Sequence, residues 1–290
     1  INSKTRAIIA THTFGYPQNI DRLKSIIRNA ESKYGNKIWL MQDCCHAFGA
    51  EWKGRLIGES GDVAVYATNI SKMITSIFGG ILTFQDKDLA EKVRKWRNDN
   101  FKRPSIFKSI KRRFYLLSVY IAFSEFMYKL TWWMQTKTEI LHIFTNAYHL
   151  DNKIHFPPDY MDHMLNIEAK IGYLQLKKYD NIINVRRENA NLYNEKLSRR
   201  KGWVFPPIVE GATYSHYVIR VQERKKVLEE WANKNVQLGE LIQYSIPLLP
   251  EYKKSKQIVN CGNSRRASIE TINLPLTINP RRLEKLIKEL

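Results

Sequence analysis

Short apolar runs alternate with amphipathic stretches through residues 1–100, and the two kinds of stretch have different periods. Ala7-Ile-Ile-Ala, inside Arg6–Thr11, and Ile38-Trp-Leu-Met41 are continuous apolar runs bounded by polar turns, the pattern of buried strands. Between them, Ile20, Leu23, Ile26, Ile27 and Ala30 fall on one face of a helix predicted over 19–34, and Gly35 stops it. A second apolar run, 62–68, a Gly79-Gly80 pair and a strand at 80–84 follow. A helix is predicted from Asp88, with Leu89, Val93 and Trp96 on one side. This β-α-β order predicts an α/β fold with a mostly parallel sheet and right-handed crossovers.

The pattern changes at 101–160. A stretch free of acids, Lys102 to Arg113, leads into an aromatic-rich run from Phe114 to Met134. Glu125 and Lys129 interrupt that run before it reaches the ~20 apolar residues of a membrane span. Two readings stand. Residues 102–134 form a peripheral membrane contact, with a cationic lead-in and an aromatic helix at the bilayer interface. Alternatively, the segment is a helical insertion packed on this protein or on a second subunit. Helical spacing then resumes from Asp162 and is predicted to run as one long helix to about Arg200. A strand at 214–221, helices at 223–234 and 265–269, an apolar Leu-Pro-Leu at 274–276 and a final helix at 280–290 complete a smaller α/β domain. The expected division is therefore 1–100, 101–160 and 161–290.

Composition narrows the function classes. At 290 residues, 43% of them hydrophobic, the chain can bury a substantial core. Its net charge of +19, from 47 Lys and Arg against 28 Asp and Glu, favours anionic partners or is simply a basic solvated surface. No nucleic-acid-binding motif accompanies the charge, and no zinc spacing is present. Three cysteines, two of them adjacent, make no disulfide framework and point to a reducing, cytoplasmic compartment. No signal peptide opens the chain, which begins as though inside a helix-to-strand connection.

The candidate chemistry lies in 38–80. Asp43 stands just past the carboxyl end of one predicted strand, His46 follows three residues later, and Lys72 follows the next apolar run. Ligands of open α/β sheets bind at that rim. Pyridoxal phosphate requires a lysine for its aldehyde and an acid against its ring nitrogen, roles that Lys72 and Asp43 match by type, with His46 near the ring hydroxyl. On residue type alone, a solvated loop lysine is the favoured reading of Lys72.

The spacing of several short motifs goes further. Asp43-Cys-Cys-His-Ala-Phe-Gly-Ala50, Lys53-Gly54 with Ile57-Gly58, Gly61-Asp62 and Lys72 occur in order. Much later come Ile171-Gly-Tyr-Leu-Gln-Leu176, Arg186-Arg187, Tyr244-Ser-Ile-Pro247 and Leu274-Pro-Leu276. Together these resemble the DegT/StrS family of nucleotide-sugar aminotransferases, which are fold-type I pyridoxal phosphate enzymes. The resemblance implies that Lys72 is the Schiff-base lysine, Asp43 the ring-nitrogen partner and His46 the residue beside the ring oxygen. It also implies a nucleotide-linked keto sugar as substrate, a glutamate-like amino donor, a role in polysaccharide biosynthesis and a homodimer. His12 falls at or next to a family histidine and either faces the site or packs in its loop. Family members carry a further stretch before this point, so the chain reads as a fragment or as a member without its front.

Three departures bear on catalysis, the first two of them at the phosphate end. Ala67 replaces a family serine, Asp159-Tyr160-Met161 replaces Gly-Tyr-Asn, and Ile77-Phe78-Gly79-Gly80 lacks a family acid. They open a second reading, a non-catalytic homologue that serves as a docking scaffold.

Overall fold

The computed structural model describes residues 1–122, 124, 127, 156, 159–233, 236, 238–249 and 261–288. These fall into two compact units, Ile1–Arg94 with Lys170–Leu290, and Lys95–Ala169.

In the first unit, β1 (Ala7–Thr11), β2 (Trp39–Asp43), β5 (Val63–Ala67) and β6 (Gly80–Phe84) form one sheet in the order β1-β2-β5-β6. The first three are parallel and β6 pairs antiparallel to β5. The sheet is therefore mostly parallel, as the β-α-β pattern predicts. Its register sets Thr11 beside Asp43, and Asp43 beside Val65. Helix α1 (Ile20–Tyr34) starts at Asn19, whose side chain accepts from the Arg22 N–H, and ends at Gly35 in the left-handed region. Ile27 and Ala30 of α1 pack with Ala10, Ile38 and Leu40. A short hairpin, β3 (Glu51–Trp52) and β4 (Arg55–Leu56), turns at Lys53-Gly54, both with positive φ. That is the backbone of a tight two-residue hairpin turn, and the hydrophobic pattern carries no sign of it.

The same unit holds a three-stranded antiparallel sheet of β7 (Trp203–Val204), β8 (Tyr217–Val221) and β9 (Thr271–Leu274). Tyr193, Tyr217, Ile219, Trp231, Ile272 and Leu283 are fully buried there. They join this sheet to α5 (Tyr179–Leu197), α6 (Arg224–Asn233) and α8 (Pro280–Lys288), while α7 (Gly262–Glu270) leads into β9.

The long helix expected from Asp162 to Arg200 is two helices, α4 (Asn166–Leu176) and α5, broken at Lys177-Lys178. Tertiary anchoring accounts for the break. The Tyr179 hydroxyl donates to the Phe48 carbonyl at 3.2 Å and the two rings lie 5.7 Å apart. Gly49 admits this approach, since a Cβ there would sit 1.7 Å from the Tyr179 oxygen.

In the second unit, α2 (Lys87–Asn100) begins in the first unit and ends in this one, and is followed by α3 (Ile106–Ala122). Helix α2 buries none of its residues, and Trp96, expected on one side with Leu89 and Val93, is 55% exposed. Lys108 of α3 pairs with both Asp159 and Asp162 at 2.8 Å, and Arg112 pairs with Glu168 at 2.8 Å. The Trp-rich end of the predicted aromatic run, to Met134, lies outside the described residues. Among the described residues no helix is long and apolar enough to cross a membrane.

Candidate functional site

The parallel strands β1, β2 and β5 end at one rim of the sheet, and three loops leave from it. Asp43 is the last residue of β2 rather than the first beyond it, and so sits between β1 and β5. One carboxylate oxygen accepts the Cys45 N–H at 3.1 Å, which orients the acid and turns the chain toward His46. Lys72 lies in the loop after β5. Asn69 accepts from the Ser71 N–H and hydroxyl and from the Lys72 N–H, so the loop makes a tight turn at the lysine. The Thr68 and Ser76 hydroxyls, 2.7 Å apart and buried, close its base.

Electrostatics place the three predicted residues in one neighbourhood. The imidazole of His46 is held below its ordinary pKa by burial and by the Lys72 cation, while Asp43 pulls the other way. The Cys45 thiol feels the same pair. Burial and Asp43 push it up to about 11, against Lys72. Burial likewise takes the Cys44 thiol up to about 12. Neither sulfur is a thiolate near neutral pH.

His12 also feels Asp43 but packs beneath the group. It is fully buried beneath the rim, with Nδ1 accepting the Gln18 N–H at 3.0 Å and Nε2 2.8 Å from Gln42 Oε1. The loop-packing reading holds, and this bonding selects the neutral ring protonated at Nε2.

Two further residues line the site, and two arginines hold one of them in place. Phe14 stacks on His46 at 6.1 Å with an 18° interplanar angle. His216, just before β8, lies 5.2 Å from His46 and 5.9 Å from Phe14, measured between ring centres. Arg186 of α5 donates to the carbonyls of Tyr214 and Ser215 at 3.2 and 3.0 Å, and Arg187 donates to Ala212 at 3.1 Å. The two arginines thereby hold the loop that presents His216. The loop also rests on Gly15, where a Cβ would come within 2.7 Å of the Tyr214 nitrogen. Among these, the Arg186-Arg187 pair had a visible signal in the sequence. His216 was hidden in a segment read as strand, which begins instead at Tyr217.

Burial, His46, Arg186 and Lys72 together lower the His216 pKa to about 4, from 6.5. The unfolded chain therefore takes up that proton first as pH falls. The stability tied to neutral His216 is full above pH 6.5 and is lost as pH drops toward about 4. Denaturation midpoints should decline across that window, and His216→Gln should flatten the decline. An unchanged slope would remove His216 as its source.

The DegT/DnrJ/EryC1/StrS aminotransferase family model matches residues 1–285. The chain belongs to this family. The resemblance read from the motifs around Asp43 and Lys72 is thus borne out over almost the whole chain. Among relatives, the uncharacterized protein MJ1066 of Methanocaldococcus jannaschii is 26% identical over 264 residues, covering 88% of this chain and 57% of the relative. The GDP-perosamine synthase of Escherichia coli O157:H7 is 23% identical over 198 residues, covering 68% of this chain and 40% of the synthase. The chain thus spans about half the length of these relatives. Spr1654 of Streptococcus pneumoniae, a sugar aminotransferase by its description, has a solved PLP form that superposes with a TM-score of 0.66 at 19% identity, covering 100% of this chain and 68% of that one. A PMP form of the same protein also matches. The cofactor indicated by family membership is pyridoxal phosphate.

Residues of the aminotransferase-family rim suit the ring end of that cofactor. An oriented carboxylate, a half-buried amine and a stacked Phe14–His46 wall occur together. At the phosphate end, Ala67 offers no hydroxyl and that of Thr68 is engaged by Ser76.

Proposed function

We propose that this chain carries the catalytic lysine of a pyridoxal-phosphate-dependent aminotransferase that aminates a nucleotide-linked keto sugar, with a glutamate-like amino donor. The single observation that carries this reading is that Asp43, at the end of β2, and Lys72, in the loop after β5, lie at one rim of the sheet, where both act on His46. When bound, pyridoxal phosphate supplies the electron sink that acidifies the carbon bearing the amino group. Asp43 would keep the proton on the ring nitrogen through a charge-assisted contact of about 1.5–3 kcal/mol. Lys72 Nζ would hold the cofactor aldehyde and, when free of it, would take and return a proton. His46, kept neutral by burial and Lys72, can donate a hydrogen bond beside the ring oxygen without adding positive charge. The +19 net charge suits the diphosphate of the substrate.

In this reading residues 1–100 form part of the cofactor-binding domain, 101–160 a helical insertion and 161–290 the smaller domain. The working enzyme is a cytoplasmic homodimer with a role in polysaccharide biosynthesis.

The test is chemical. Protein incubated with pyridoxal phosphate and reduced with borohydride should carry one adduct, mapped by peptide mass spectrometry to Lys72. Adducts scattered over surface lysines would overturn the assignment. A second reading, the non-catalytic scaffold, is favoured by Ala67 and by the Thr68–Ser76 bond. It predicts a folded protein that takes up no cofactor at all.

A further inference from the structure

Helix α3 has two unlike sides. On one, Lys108 and Arg112 are bound to Asp159, Asp162 and Glu168. On the other, Ile106, Phe107, Ile110, Phe114, Leu117 and Ile121 are all exposed, Ile106 at 82% and Phe107 at 75%. At about 100° per residue these six lie within an arc of roughly 100°, on a helix about 25 Å long. Tyr120, 78% exposed, borders the arc. Exposed Lys111 and Arg113 fall just outside its two edges, and exposed Lys102 and Arg103 precede the helix. No Asp or Glu occurs between Asp99 and Glu125.

We propose that this face of α3 lies on an anionic lipid bilayer, its apolar arc among the upper acyl chains and Lys102, Arg103, Lys111 and Arg113 at the headgroups. An apolar stripe edged by cations is the pattern of an interfacial helix, and each cation near an anionic surface adds about 1 kcal/mol. Charge decides the occupant. A two-fold pairing of this face with a second copy would set its cations against one another, whereas anionic headgroups neutralise them. The acids that would oppose such a surface are held on the far side of the helix by Lys108 and Arg112. The proposal does not depend on the aminotransferase reading.

The experiment is co-sedimentation of the full chain with vesicles of phosphatidylcholine alone or mixed with phosphatidylglycerol. Binding is expected to the anionic vesicles, to weaken with added salt, and to fall by about 100-fold in Phe107→Glu/Phe114→Glu, which removes two large apolar anchors. Because these side chains are exposed, the variant should keep its circular dichroism spectrum. A second readout uses Tyr120→Trp, whose added fluorescence should be quenched by brominated lipid. No sedimentation with anionic vesicles would overturn the proposal, as would binding that the double substitution leaves unchanged. So would a dimer that the double substitution converts to monomer in lipid-free solution.

Discussion

Replacing Lys72 by alanine is expected to slow amino-group exchange by ~10²–10⁴-fold, the span over which a positioned proton-transfer group acts. Protein charged with pyridoxamine phosphate and mixed with a keto-acid acceptor should show the loss in the amplitude and rate of the cofactor's absorbance change. The expectation rests on position. Lys72 is held by the Asn69 turn and acts electrostatically on His46, Cys45 and His216 together. The cysteine thiols stay protonated near neutral pH, and burial lowers the pKa of His46 and His216, so in the proposed function the covalent role falls to Lys72. A Lys72→Ala protein that exchanged at the parent rate would move the chemistry to another residue.

Replacing Gly211 by valine is expected to destabilise the first unit by about 2–5 kcal/mol, from the left-handed conformation and the overpacking together. Gly211 has φ +78°, and a Cβ there would lie 2.2 Å from the backbone oxygen of Glu51. That close approach carries the bond from Glu51 N–H to the Gly211 carbonyl at 3.0 Å, which ties the loop presenting His216 to the hairpin after Asp43. Urea denaturation reads the change as a lower midpoint. Gly35→Ala is the control. It too has positive φ, +68°, but open space around it, so about 1–2 kcal/mol is expected. Equal losses in the two variants would mean that the Glu51 contact carries no load.

Much of the site was legible because its parts are local. Asp43, His46 and Lys72 lie within thirty residues of one another. Continuous apolar runs announce the parallel strands that deliver them, and polar residues at strand ends mark the rim. The later motif Arg186-Arg187 was visible as a pattern, but its work was not. A pair of arginines on a helix reads as a solvated face until the carbonyls of Ala212, Tyr214 and Ser215 are found against them. His216 gave no signal, since a lone histidine near a strand has many uses. Phe14 does its work from φ +60°, a backbone state that sequence pattern does not report.

The break at Lys177-Lys178 shows the same boundary from the other side. Helical periodicity runs through it undisturbed, because periodicity records which positions are apolar and not where a helix must bend. The tether from Tyr179 to Phe48, more than a hundred residues away, decides that. By itself, then, the sequence determined the order of the elements, the mostly parallel sheet and the three chemical groups at its rim, all consequences of local apolar patterning and short-range spacing. Only the tertiary structure decided that His216 and Phe14 wall the same site, that His12 is withdrawn from it, and that the apolar arc of α3 faces outward. Those outcomes depend on which distant segments pack together, and packing partners are not written in the period of a single stretch of chain.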